Sequence, residues 1–222
     1  TLHEGEVIAL VGTEGAGTEP LIRSVFGLEK VDGGQIMFQG KPITNGICAQ
    51  AVAAGIGYVP RERKIEGIIE PMTIEENVVL PNLRRMTRAG LLDFPKIRAA
   101  TKHLFGPLRI KAESRLATAK SLSGGNQQKV VLAKWYNTGA RLFLLDHPTR
   151  GLDVGAKEDV YDLIREICAR GAGVLLIADT LEEAIGLSHR IIVYRDGRET
   201  ARFDNADPAR PVTPLDLIGH MV

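Results

Sequence analysis

Two segments constrain this chain more than anything else in its 222 residues. Leu122 to Lys129 read LSGGNQQK, and Leu142 to Asp153 read LFLLDHPTRGLD. The first is a two-glycine turn that opens a helix. Ser123 caps that helix, and the amides of Gly124, Gly125 and Asn126 point out of its start. Such an end is an anion site, because unpaired donors and the helix dipole both favour negative charge. The second segment is an apolar run ending in an acid. It reads as a buried strand delivering Asp146 to the C-terminal edge of a parallel sheet, where ligands and metals gather.

Together these segments resemble the signature motif, Walker B strand and D-loop of ABC-transporter ATPase domains. The NQQK ending and the Thr149-Arg150-Gly151 run are most similar to bacterial sugar importers of the ribose, galactose and xylose type. The resemblance implies an α/β fold, a RecA-like P-loop NTPase core with a small antiparallel β part and an inserted helical subdomain. It implies one ABC ATPase domain over 1–222, with the core at about 1–60 and 130–222 and the helical subdomain, signature included, at about 61–129. ATP and Mg²⁺ are the implied cofactors, with Asp146 holding Mg²⁺ through water. The implied partners are the first ATPase domain of the same polypeptide or another ABC domain, membrane permease subunits and, indirectly, a periplasmic sugar-binding protein. The implied location is peripheral, on the cytoplasmic face of the inner membrane. ABC domains usually carry an earlier strand with an aromatic residue that stacks on adenine. Here the chain begins at Thr1-Leu2-His3, so it reads as a truncated domain, most similar to the second of two in tandem.

Composition narrows the alternatives. The 28 basic and 27 acidic residues nearly balance, which argues against a nucleic-acid partner. Cys48 and Cys168 have neither C-x-x-C spacing nor a nearby histidine cluster, so these two thiols point to a reducing compartment and to neither a disulfide framework nor a zinc site. No apolar run has the length to span a bilayer.

Periodicity and punctuation predict the elements. Val7–Val11 reads as a strand before a glycine-rich loop, with a helix from about Glu19 to Phe26. Gln35–Phe38 reads as an antiparallel strand and Tyr58-Val59 as part of a buried one. Thr73–Leu80 has the Thr-x-x-Glu capping pattern, with Pro81 closing the helix. The stretch from about Arg61 to Ala119 is helical in pattern. Beyond it, strands at Leu142–Leu145, Val174–Ala178 and Ile191–Tyr194, a helix at Val154–Ala169, a turn at Asp196-Gly197 and a last helix near Leu215–Met221 complete a mostly parallel sheet.

The loop after the first strand departs from the P-loop pattern G-x-x-x-x-G-K-[ST]. Gly12 and Gly17 match, and Gly15 and Ala16 lie between them, so a backbone cradle of N–H donors is retained. Thr18 stands at the lysine position and Glu19 at the magnesium-ligand hydroxyl. Losing the cation removes charge-assisted bonds worth about 1.5–3 kcal/mol each. Glu19 then places an anion near anions, and at about 4 Å and an effective dielectric of about 20 that adds about 4 kcal/mol of repulsion unless it turns away. The loop is then either a weak nucleotide site or only a joint between strand and helix.

Three more positions of the resembled family are altered. His147 replaces the glutamate that follows the Walker B acid, and an imidazole beside a γ-phosphate favours its protonated form, which cannot serve as a base. Asp179 stands where the switch histidine is expected, before Leu181-Glu182-Glu183-Ala184. Arg61 occupies the glutamine-loop position, and with Arg63 and Lys64 it reads as a solvated basic loop rather than a phosphate contact. The signature residues Ser123, Gly124, Gly125 and Asn126 and the D-loop Asp153 are intact. ABC domains pair head to tail, each site combining one P-loop with the partner's signature. The expected role is therefore a nucleotide-binding domain of a monosaccharide importer, poor at hydrolysis itself but completing its partner's site. A nucleoside importer domain and a non-hydrolysing ATP-binding module are the alternatives.

Overall fold

Strand β1 (Val7–Gly12) runs through the middle of the protein, and its residues Val7 to Val11 are all buried. The computed structural model describes residues 1–43, 46–207 and 210–222. Around β1 are assembled β4 (Ile56–Val59), β7 (Leu142–Asp146), β8 (Gly173–Ile177), β9 (Arg190–Arg195) and β10 (Arg198–Asp204). Their order in the sheet is β10-β9-β1-β8-β7-β4. Every pairing is parallel except β9 with β10, a hairpin closed at the expected Asp196-Gly197 turn. Continuous Val/Ile/Leu runs form these strands because helices cover both faces of a parallel sheet.

Helix α1 (Thr18–Phe26) follows the glycine-rich loop, and α5 (Gly124–Thr138) follows Ser123. Helix α6 (Val154–Ala169) has the predicted bounds, and α8 (Pro214–Met221) closes the chain. The structure adds α2 (Cys48–Ala54), α7 (Leu181–Leu187) and the edge strand β10, none of which periodicity marked. Only Met37–Phe38 (β2) of the expected strand at 35–38 is paired, with Lys41–Pro42 (β3), and the pairing is antiparallel.

Residues 61–119 add no strand to the main sheet. Here α3 (Ile74–Val79) has the reciprocal Thr73/Glu76 capping box. The α-helix ends at Val79 with Leu80 as its C-cap, directly before Pro81 as expected, and the chain continues as a tighter turn. Pro81 sits in the first turn of this 3₁₀ segment, Leu80–Met86, where its missing N–H costs nothing. The stretch is not helical throughout: Thr87–Arg88 (β5) and Leu91–Leu92 (β6) form a hairpin before α4 (Phe94–Lys102). Arg63–Gly67 is a π-helical turn rather than an irregular loop, with Lys64 exposed on it.

An aromatic cluster ties this architecture to the site. Phe26 of α1 stacks on Tyr58 of β4 with centroids 5.3 Å apart, and Trp135 of α5 meets Phe26 edge-on at 5.6 Å. Trp135 lies so close to β4 that a Cβ at Gly57 would stand 2.6 Å from the Trp135 Cβ.

Candidate functional site

The C-terminal ends of β1, β7 and β8 open onto one cavity of about 370 Å³. Gly12, Gly15, Gly17, Thr18 and Glu19 line it from the loop and α1, Arg61 from the segment after β4, and His147 and Asp179 from the other strand ends. The altered positions Thr18, Glu19, His147 and Asp179 are thus brought together in space.

The loop keeps a cradle geometry. A Cβ at Gly12 would come within 2.6 Å of the Ala16 Cβ and 2.8 Å of the Tyr194 carbonyl oxygen, so only glycine fits. Gly17 has φ 99°, and an added Cβ would reach the Gly197 Cα at 3.0 Å. The Ala16 N–H donates to the Thr13 carbonyl at 2.9 Å, and the Gly197 N–H donates to the Ala16 carbonyl at 3.0 Å. Gly17 gives α1 no side-chain cap, leaving the start of a nine-residue helix facing the cavity.

The side chains in this frame are already engaged. Arg61 makes a close ion pair with Glu19 and a second, 4.0 Å pair with the exposed Glu14. Glu19 is therefore not the lone anion assumed from the sequence, and its repulsion of phosphate is correspondingly smaller. Asp146 is 3% exposed. Its Oδ2 accepts from the Tyr58 hydroxyl at 2.9 Å and its Oδ1 from His147 Nδ1 at 2.8 Å. Burial, reinforced by Asp146, pushes the Tyr58 hydroxyl far above its ordinary range, so it remains a donor. His147 itself has φ 48°, and its N–H donates to the Ile177 carbonyl at 2.9 Å. This left-handed backbone is uncommon outside glycine, although histidine is among the residues that tolerate it.

Behind the cavity lies a polar hub that the sequence did not disclose. Glu183 accepts from Thr149 (2.8 Å), Lys157 (2.7 Å), Tyr161 (2.6 Å) and the Asp179 N–H (3.2 Å). Burial works to raise this carboxyl, but the bonds from Lys157, Tyr161 and Thr149 outweigh it and hold Glu183 below its usual range. Asp179 accepts from Thr149 at 3.1 Å, yet burial and then Glu183 leave its carboxyl raised. The periodicity of α7 was too short to register, and with it the inward face that carries Glu183 was missed.

The signature residues and Asp153 stand apart from this cavity. The Ser123 hydroxyl accepts from the Asn126 N–H at 3.4 Å and from Asn126 Nδ2 at 3.0 Å. The Asn126 amide is thus part of the cap, which corrects the expectation that it points outward; those of Gly124 and Gly125 occupy the open helix end. A Cβ at Gly124 would meet Arg63 Nη2 at 2.8 Å, and one at Gly125 would meet the Ala156 Cβ at 2.6 Å. Arg63 also donates to the Arg150 carbonyl at 2.8 Å, fastening the π-turn to the D-loop. Asp153 caps α6, accepting from the Ala156 N–H at 2.9 Å.

The resemblance noted in the sequence implies ATP, generally with Mg²⁺. The backbone cradle fits a phosphate, but the side chains do not fit the usual magnesium set. A carboxylate replaces the P-loop hydroxyl, and both Asp146 oxygens carry protein hydrogen bonds.

Comparison with known proteins agrees with the fold. A dimeric ATP-binding cassette in a post-hydrolysis state with ADP and Pi superposes with a TM-score of 0.77 at 23% identity, over 92% of this chain and 88% of that one. A nucleotide-free cassette from an ABC transporter gives 0.77 at 22% identity, over 94% and 87%. A ribose import ATP-binding protein of Streptomyces coelicolor is 41% identical over 206 residues, 93% of this chain and 41% of that protein. One of Pseudomonas putida is 43% identical over 202 residues, 91% and 40%. The chain therefore spans about two fifths of the length of these curated relatives. No helix among the described residues is long and apolar enough to cross a membrane. Residues 1–150 match the ABC transporter family, and with this fold and these relatives the chain belongs to that family as an ATP-binding cassette.

Proposed function

We propose that this cassette serves a bacterial monosaccharide importer as a signature donor, completing an ATP site on a partner cassette while its own site is impaired in hydrolysis. The observation that carries the reading is the state of its own cavity. The lysine position is Thr18, Glu19 is tied to Arg61, and both Asp146 oxygens are taken by Tyr58 and His147. The Ser123-capped helix start lies outside that cavity, available to a neighbour's γ-phosphate. Relatives that are ribose import ATP-binding proteins favour a sugar over a nucleoside as cargo.

In this reading the partners are a second ATPase domain, permease subunits at the cytoplasmic membrane face and a periplasmic sugar-binding protein. The permease is met by residues 61–119. Leu83, Leu91, Leu92 and Phe94 are exposed there beside Arg84, Arg85 and Arg88. Cysteines placed on this stretch should cross-link to a co-expressed permease, and cross-links arising only from the opposite side of the sheet would refute the docking.

ATP turnover tests the main claim. The chain alone should turn over ATP negligibly, and adding a competent partner cassette should restore activity that depends on this chain's signature. Turnover by the chain alone at the rate of a working ABC ATPase would refute it. The preserved cradle also supports a second reading, a module that holds nucleotide without turnover. Tight MgATP binding with no partner-dependent activity would favour that.

A further inference from the structure

Three metal-ligating side chains converge where the altered positions meet. A carboxylate oxygen of Glu19, one of Asp146 and a ring nitrogen of His147 all lie within 4.8 Å of one another. We propose that this chain binds a divalent transition-metal ion of the zinc class directly, through Glu19, Asp146 and His147, without nucleotide.

The donor chemistry selects the metal. One imidazole nitrogen with two carboxylate oxygens suits Zn²⁺ and its first-row neighbours. Mg²⁺ prefers an all-oxygen octahedron and keeps several waters. Both ligands beyond Asp146 depart from the motif pattern set out above: Glu19 brings a carboxylate to a hydroxyl position, and His147 brings a nitrogen to a glutamate position.

The geometry is close to a coordination shell. Donor atoms on one ion at about 2.1 Å stand about 3.0–3.4 Å apart, and Asp146 Oδ1 and His147 Nδ1 are already 2.8 Å apart. A bound cation takes the place of the proton they share, and the imidazole proton then resides on Nε2. The Tyr58 hydroxyl on Asp146 Oδ2 orients the carboxylate from outside the shell. The left-handed backbone at His147, fastened to the Ile177 carbonyl, fixes where the ring projects. The remaining adjustment falls on Glu19, at the end of a flexible side chain. Arg61 holds that carboxylate now, but Glu14 at 4.0 Å offers the guanidinium another anion when Glu19 turns to the metal. Asp179, lining the same cavity, adds negative charge that favours a cation.

The test is a titration of Co²⁺ and Zn²⁺ into the chelator-treated chain, with no nucleotide and no partner, so its outcome is separate from that of the signature-donor reading. One equivalent of Co²⁺ should bind with the ligand-field absorption of a nitrogen–oxygen site, Zn²⁺ should displace it, and a large excess of Mg²⁺ should not. His147→Ala and Glu19→Gln should each weaken Co²⁺ binding at least about a hundredfold, the upper end of what losing even an outer-shell partner costs. Arg61→Ala should tighten it by removing the competitor for Glu19. Unchanged melting temperatures in the variants exclude misfolding as the cause. If His147→Ala binds Co²⁺ as the parent does, or if Mg²⁺ competes on equal terms, the assignment is overturned.

Discussion

Arg61 closes on Glu19 across the mouth of the glycine-rich loop. A residue from the segment after β4 thereby neutralises one in the first turn of α1, and two departures that look independent in the sequence form a pair. The pair is partly exposed, so its contribution to stability is small, about 0–1 kcal/mol. Its effect on ligands is larger, because it decides the sign of the charge met at the cavity.

Restoring the phosphate ligands should restore affinity. Thr18→Lys with Glu19→Ser supplies a cation and a hydroxyl and frees Arg61. MgATP binding should tighten at least about tenfold, since one charge-assisted bond alone is worth about 1.5–3 kcal/mol. Calorimetry is the assay, and an unchanged dissociation constant would mean that the loop is only a joint between β1 and α1.

His147→Glu alone should not confer turnover. The substitution returns a carboxylate to the position after Asp146 but leaves Thr18 in place of the phosphate-binding cation. Steady-state phosphate release should stay at background, and a rise to the rate of a competent cassette would show that His147 was the sole defect.

The signature should matter more than this chain's own loop. Gly125 is a poor probe because any side chain there strikes Ala156. Ser123→Asp is better: aspartate caps a helix as well as serine does, while its charge opposes a phosphate. Melting temperature should hold, and sugar uptake by the complete transporter should fall sharply. Thr18→Ala should change uptake little. Normal uptake with Ser123→Asp and failure with Thr18→Ala would reverse the assignment of the working site.

Lys134 should make stability rise with pH. Burial lowers its ammonium pKa to about 8, although Nζ donates to the Gly67 carbonyl. Below pH 8 the folded and unfolded chains both carry the proton, and the burial penalty is complete. Between there and the unfolded value of about 10.4 the unfolded chain binds more protons, so stability increases with pH. Lys134→Met should raise stability at pH 7 by about 1–2 kcal/mol, the lost penalty less one net hydrogen bond. The advantage should shrink toward pH 10. Thermal melts across that range are the check, and a constant or widening gap would show that the ammonium is not penalised.

The strands and long helices were legible because their signals are local. The apolar runs of β1, β7 and β8, the Thr73 capping box and the full length of α6 each follow from neighbours in the chain. The pattern also marked Thr18, Glu19, His147 and Asp179 as altered, and these residues line one cavity. Three things were not legible. Helix α7 is seven residues long, too short for a period to stand out, so Glu183 was not seen as a hub. Tyr58 and Asp146 are 88 residues apart, and no local rule joins them. Arg61 read as solvated because its partner Glu19 lies 42 residues earlier, brought beside it only by the crossing of β4 and α1.

The Gly197 amide, bonded to the Ala16 carbonyl, has a kinetic consequence. The β9–β10 turn props the glycine-rich loop from below, so the loop's shape belongs to the sheet rather than to any guest. An anion arriving there meets donors already in position. Capture by a repaired loop would be governed by diffusion and charge, with no slow closing step before it.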